Sequence, residues 1–354
     1  MMTKGGWQRP LRFKDAEAEV LAARQTLGLI DAHSMGKFEI CGPGALPFIQ
    51  WITTNDVTRV EEGRGAIYTL LCNDQGGIVD DIVVYYINNN RFYFITNTMS
   101  TARVHQWVES CIERFDGPPA FLSNVTNKTA YLSVQGPRSG ALMVKLFGAA
   151  VRQLKYFQFM FADLLNVPVL LARTGYTGEL GFELNFPSEF GYGVWKYLLD
   201  EAVHFDGMPV GGEAVQVLRI EKGYRAHGTD MTVDNNPYEM GLGWLIRDQK
   251  GEFIGRDALI RIRGDGVSSR FVGFEAEGNY PLQNGTSLTC ENGKSAGRIT
   301  SSCHSPTLDK VIALGFVARD TEARVFRAGS GNVPVRQVDI PFYDRAGDRL
   351  RAVL

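Results

Sequence analysis

Gly76-Gly77-Ile78-Val79-Asp80-Asp81-Ile82-Val83-Val84-Tyr85-Tyr86 is the stretch from which the rest of the chain is read. Two adjacent glycines predict a tight turn, because glycine reaches positive φ without steric cost. From residue 82 to 87 the side chains are β-branched or aromatic, which predicts a strand. Asp80 and Asp81 sit between turn and strand with no cation beside them in sequence. Consecutive side chains on a strand point to opposite faces. One carboxylate is therefore expected at solvent and the other in the apolar interior. An inward Asp either gathers hydrogen-bond donors or has its pKa raised, and a chemical site uses both. The competing reading is an Asx-type turn that satisfies backbone N–H groups. Which of the two faces inward stays open.

Working outward, Ala66–Cys72 reads as a strand joined to this one through Asn73-Asp74-Gln75, a hairpin. Residues 91–95 read as a further strand across Asn88-Asn89-Asn90, and 101–115 as an amphipathic helix. Upstream, 16–27 reads as a helix with acidic residues near its start and Arg24 near its end. An alternating strand at 36–40 and a short helix at 45–52 follow. Residues 5–13, with two glycines and Pro10, read as an aromatic-bearing loop. Downstream come a strand at 129–134 and a helix at 138–147. Ile40-Cys41-Gly42-Pro43 and Val134-Gln135-Gly136-Pro137 thus hint at a pseudo-repeat of α+β halves. A strand at 167–172, a glycine-rich segment at 173–184, and helices at 190–203 and 215–223 complete this part. Beyond Gly264 the pattern changes to short strands with turn signals and almost no helix, as in a small β-barrel. Residues 1–265 are expected to be α+β and 266–354 a barrel domain.

Composition narrows the function classes. The 37 basic and 39 acidic residues give a net charge of −2, so no global field favours nucleic acid or an anionic membrane. Cys41, Cys72, Cys111, Cys290 and Cys303 are scattered and lack CxxC spacing. That pattern suits reduced thiols in a cytoplasmic protein and speaks against zinc. The histidines have no metal-ligand spacing either, so no metal is expected. Adjacent residues rarely have Cys/His catalytic geometry, which sets aside Cys303-His304. No apolar run approaches the roughly 20 residues that span a bilayer, and the N-terminus lacks a signal-peptide core.

Six segments then occur in a telling order: Gly76–Asp81, Gln135-Gly136-Pro137, Arg173–Glu183, Leu218–Gly223, Phe253–Leu259 and Ser305–Leu308. In that order they resemble the glycine-cleavage T-protein (aminomethyltransferase) family over nearly the whole chain. Gly6-Trp7-Gln8-Arg9-Pro10-Leu11 and Glu221–Gly228 look most like the folate domain of dimethylglycine and sarcosine dehydrogenases, and like stand-alone tetrahydrofolate-dependent demethylases. No Gly-x-Gly-x-x-Gly segment for a flavin is present. The resemblance implies an α+β fold of three lobes, two α+β and one small β-barrel, around a central channel. That channel receives tetrahydrofolate as the one-carbon acceptor.

By the same resemblance Asp81 matches the catalytic carboxylate, with Asp80 as runner-up. Its implied role is to orient the donor's amine or onium group and to hold developing positive charge. Glu183 matches the pterin-binding carboxylate, which pairs with ring N–H groups in a charge-assisted, bidentate fashion. Glu179, four residues earlier, is expected on the same strand face. Tyr176 is a candidate wall of the ring and Trp244 a candidate cap, though both suit ordinary core packing. Met35, Tyr68 and Asn97 fall where the family lines its cavity. Arg219 is expected to be a structural ion-pair residue.

Two departures bear on the reaction. An Arg-Asp pair precedes Leu-Arg-Leu-Glu in the family, where this chain has Val215 and Gln216. In Asp31-Ala32-His33-Ser34-Met35 the family's histidine is displaced. They turn the expectation from glycine cleavage toward demethylation, in which a methyl group moves from a small amine, ether or sulfonium donor to tetrahydrofolate. The alternatives are a folate subunit for a flavin amine dehydrogenase that forms methylene-tetrahydrofolate, the glycine-cleavage aminomethyltransferase itself, or a non-catalytic folate-binding protein.

Overall fold

The computed structural model describes residues 1–354. After the double glycine the strand runs Ile78–Asn88. Gly76 takes a φ of 82° at the turn. A Cβ on Gly77 would lie 2.0 Å from the Val233 carbonyl oxygen, so backbone approach there excludes any side chain. The strand lies second in a five-stranded antiparallel sheet of order Ala66–Cys72, Ile78–Asn88, Arg91–Thr96, Gly36–Cys41, Phe121–Asn124. Helices Ala45–Ile52 and Thr101–Arg114 cover one face, where Phe48, Ile52 and Val108 pack with Phe38, Ile82 and Phe94.

A second sheet has the order Phe159–Leu164, Val167–Ala172, Gly181–Pro187, Thr129–Gln135, Leu27–Asp31, Gly207–Val210. Only its last pair is parallel. Helices Ser139–Phe147 and Gly191–Ala202 bury Leu142, Met143, Val194 and Leu198 against it. The two sheets repeat one motif. A strand leads through Gly-Pro into a helix and then pairs with the third strand of the antiparallel meander that follows. They differ at one place. Phe121–Asn124 pairs directly with Gly36–Cys41, whereas Leu27–Asp31 inserts between Thr129–Gln135 and Gly207–Val210. Edge bonds link the sheets, Ala66 N–H to Phe157 C=O at 2.9 Å and Phe159 N–H to Arg64 C=O at 2.8 Å. Tyr85, Tyr93, Tyr131 and Phe159 fill the space between.

Helix Arg256–Asp265 ends just before the third part, a closed barrel. Its strand order is Ser269–Ala276, Lys310–Ala318, Ser295–Ser305, Ser287–Thr289, Val325–Ala328, Val333–Val338. Closure leaves no unpaired edge, and Phe274, Ile299, Val317 and Phe326 fill the interior. On the outside, Phe271, Ile312, Leu314 and Phe316 pack against Ile220, Met240 and Leu245. The architecture is α+β with a C-terminal barrel. Residues after Val338 return to the second sheet's lobe, where Arg173 donates to the Leu350 and Ala352 carbonyls.

Buried charges hold these parts together around helix Gly212–Glu221. Arg24 bonds Glu221 at 2.7 Å and Glu179 at 3.1 Å, while Tyr343 donates to Glu179 at 2.7 Å and Ser305 to Glu221 at 2.6 Å. Arg219 is fully buried, pairs with Asp230 and donates to Ser301 at 2.7 Å. Burying these charges is offset only because each is paired and hydrogen-bonded.

Some local expectations need correction. Of residues 5–13, read as a loop, Trp7–Arg9 is a strand that pairs with Met2–Lys4 in a ribbon turned by Gly5 and Gly6 at φ 57° and 82°. The helix read at 16–27 stops at Gln25, because Leu27–Asp31 is taken into the second sheet.

Candidate active site

Along Ile78–Asn88, Ile82, Val84 and Tyr86 belong to the helix-covered core, while Val83 and Tyr85 face the other way. Alternation sends Asp80 with the first set. It is wholly buried and accepts the Asn97 backbone N–H at 3.0 Å and the Asn97 side-chain amide at 2.9 Å. Asn97 precedes the turn Thr98–Ser100, which runs straight into helix Thr101–Arg114. Asp80 thus satisfies a donor at a helix entrance.

Asp81 takes the opposite face and lines a cavity of about 1270 Å³. Its Oδ2 accepts the Tyr68 hydroxyl at 2.9 Å and its Oδ1 the Asn97 amide at 2.8 Å. The expectation of one carboxylate at outer solvent is corrected: helices cover one face of this strand and the cavity adjoins the other. Burial pushes the Asp81 carboxyl above its ordinary range, while Tyr68, Asn97 and the Arg225 charge oppose the rise. Burial, then the neighbouring Asp81 charge, pushes Asp80 well up.

Glu183 reaches the same cavity from Gly181–Pro187 in the second sheet. Thr174 donates to it, and burial raises its pKa against the hydroxyls of Thr174 and Tyr131. Glu179 does not share its face. The strand begins only at Gly181, and the bend before it turns Glu179 to Arg24 and Tyr343.

Tyr176 donates to the Arg225 carbonyl at 2.5 Å and stacks on Tyr224, with centroids 5.6 Å apart. Trp244 is 59% exposed on the cavity wall, and its ring lies 6.2 Å from that of Tyr68. Met35 and Asn97 line the cavity too. Asp80 alone among the candidates stands outside it.

Other lining residues had gone unread. Tyr131 follows from the alternation of its strand, and Thr174 from its place beside Gly175-Tyr176. Arg225 and His227 fall within the Glu221–Gly228 segment, but no role could be read for them there, because they depend on a loop held by distant contacts. Arg225 donates to the Met240 and Gly223 carbonyls. His227 sits 3.1 Å from Arg103 and 3.3 Å from the Ile78 carbonyl, and burial pushes its pKa down to about 4. It is neutral near pH 7. No group of three His, Cys, Asp or Glu side chains is gathered as metal ligands, and no helix is long and apolar enough to cross a membrane.

Residues 1–250 match the family described as GCVT N-terminal domain, and residues 270–344 match the glycine cleavage T-protein C-terminal barrel domain. The chain belongs to the glycine-cleavage T-protein family. An aminomethyltransferase of Thermotoga neapolitana is 35% identical over 346 residues, which cover 97% of this chain and 93% of that one. One from Thermotoga maritima is 34% identical over 347 residues, with the same coverage. The crystal structure of glycine cleavage system aminomethyltransferase T from Bartonella henselae shares the fold, with a TM-score of 0.87 at 24% identity. It covers 97% of this chain and 94% of its own. In this family member Val215 and Gln216 both line the cavity.

Proposed function

We propose that the chain transfers a one-carbon unit to tetrahydrofolate, taking a methyl group from a small amine, ether or sulfonium donor. The observation that carries the reading is Asp81: a carboxylate with no ion-pair partner, fixed by Tyr68 and Asn97, on the cavity that Glu183 enters from the other sheet.

The lining suits a folate. Glu183, backed by Thr174 and Tyr131, offers a buried acceptor for pterin N–H groups, and Tyr176 and Trp244 offer flat walls. Bound tetrahydrofolate supplies the nitrogen that accepts the one-carbon unit. Asp81 orients the donor's positive or incipiently positive centre, and its fixed hydrogen bonds spare reorganisation as charge develops. Tyr68 and Asn97 each occupy one lone pair of the carboxylate, so each oxygen retains further acceptor capacity. Enclosure by the lobes limits water at the reacting atoms.

A second reading, aminomethyl transfer, is favoured by the names of the two Thermotoga relatives. A third, service to a separate flavin amine dehydrogenase, is tested by co-purification with a flavoprotein. Incubation with tetrahydrofolate and methylated amines, sulfonium compounds, aryl methyl ethers or an aminomethyl donor separates the first two. Methyl-tetrahydrofolate supports demethylation and methylene-tetrahydrofolate supports aminomethyl transfer. If no donor yields either product while tetrahydrofolate still binds, and no flavoprotein co-purifies, the chain is a folate-binding protein and the catalytic reading fails.

A further inference from the structure

The ribbon of residues 2–9 is wedged between both lobes. At its turn, a Cβ on Gly5 would lie 2.8 Å from the Thr98 carbonyl oxygen, one residue from Asn97. At its other end, a Cβ on Gly212 would lie 2.9 Å from the Met2 sulfur. Beyond the ribbon, Gly212 N–H donates to Pro10 and Glu213 N–H to Leu11. Trp7 packs edge-on against His33 at 5.1 Å. Lys4 stands between these anchors and lines the cavity.

The two basic groups whose charges act on Lys4 are committed. Arg9 donates to the Asp31 carbonyl at 3.1 Å, and Arg219 is held by Asp230 and Ser301. Glu17 and Glu213 line the cavity as well, and Glu213 is paired with Arg12 at 3.9 Å. Lys4 is half-buried with no carboxylate partner. Burial lowers its pKa, and the charges of Arg9 and Arg219 push the same way. Neither Asp81 nor Glu183 is among the charges that act on it. Lys4 therefore brings an unpaired cation to the cavity, set apart from Asp81 and Glu183.

We propose that Lys4 receives the carboxylate-bearing glutamate end of tetrahydrofolate, so that the N-terminal ribbon forms part of the binding site. This rests on the folate reading above. A pterin on Glu183 with its reacting nitrogen at Asp81 leaves the anionic end of the same molecule to find a counter-charge. A small donor held beside Asp81 does not extend that far. Lys4 supplies the charge at little cost, since no existing bond must break.

Calorimetry on the full chain tests the proposal with two probes, tetrahydrofolate and a tetrahydropterin that lacks the aminobenzoyl-glutamate tail. Lys4→Met keeps the aliphatic stem, and Lys4→Arg keeps the charge. Wild type is expected to favour the tailed probe, Lys4→Met to lose about tenfold of that preference, and Lys4→Arg to retain it. Affinity for the tail-less probe should not change in either variant. Equal loss for both probes, or no loss for either, overturns the role of Lys4 while folate binding stands. Should wild type bind neither probe, the folate reading itself fails, and this inference with it.

Discussion

The side-chain amide of Asn97 bridges Asp80 and Asp81, donating to an oxygen of each at 2.9 and 2.8 Å. The two carboxylates leave their strand on opposite faces, so only a residue at the end of the neighbouring strand can touch both. Asn97 is that residue, one position beyond Arg91–Thr96. This bond ties the helix-entrance acid to the cavity acid, and the two should answer differently to the same substitution.

Asp81→Asn should cut turnover by about a hundredfold or more, the scale set by loss of one fixed electrostatic contact. Tetrahydrofolate affinity, read by calorimetry, should hold. Near-normal turnover would remove Asp81 from the chemistry.

The same variant should be more stable than wild type at neutral pH. Burial holds the folded Asp81 carboxyl above its unfolded value, so folding takes up a proton. That contribution is fully present below the unfolded value, about pH 4, and is lost as pH rises through the folded one. Asparagine does not titrate. The Tm gap should open above about pH 4 and widen toward neutrality. Its absence in thermal melts across that range would contradict the assignment.

Asp80→Asn should behave in the opposite sense. The Tyr68 hydroxyl can turn to accept from an amide at 81, but both Asp80 oxygens accept N–H donors of Asn97, and an amide there sets donor against donor. A loss of about 1–3 kcal/mol is expected in urea unfolding, with turnover reduced through displacement of Asn97. A neutral result would remove Asp80 from the helix entrance.

Glu183→Gln should weaken tetrahydropterin binding about tenfold to a hundredfold, the value of a charge-assisted pair. Thr174 can still bond the amide oxygen, so the fold should persist. Unchanged affinity by calorimetry would place the pterin elsewhere.

Arg24→Met strips the shared partner of Glu179 and Glu221, both fully enclosed. Breaking a buried pair costs about 3–5 kcal/mol. Denaturant unfolding should show that loss, and a drop below about 1 kcal/mol would mean that Tyr343 and Ser305 suffice.

Much of this was legible from local pattern. Gly76-Gly77 announced the strand, alternation split Asp80 from Asp81, and the loss of helical period past Gly264 announced the barrel. What local pattern could not supply was the partner of each face. Asp80 and Asp81 look alike until Asn97 is placed across from them. Glu183 gains its hydroxyls from Thr174, in the loop before its own strand, and from Tyr131 on the neighbouring strand. Glu179 was misassigned because Gly178 and Gly181 bound a bend that alternation ignores. Phe121–Asn124 and Gly207–Val210 were missed because such short edge strands, one polar and one bearing Gly and Pro, carry little β signal.

The strand Leu27–Asp31 has both of its neighbours far later in the chain, at Thr129–Gln135 and Gly207–Val210. A ribosome making this protein releases it long before either is available. The sheet of residues 36–124 is free to close on emergence, while the earliest strand waits for the next lobe to be translated. Clipping the first thirty or so residues would therefore open a seam inside the second sheet rather than shorten a tail.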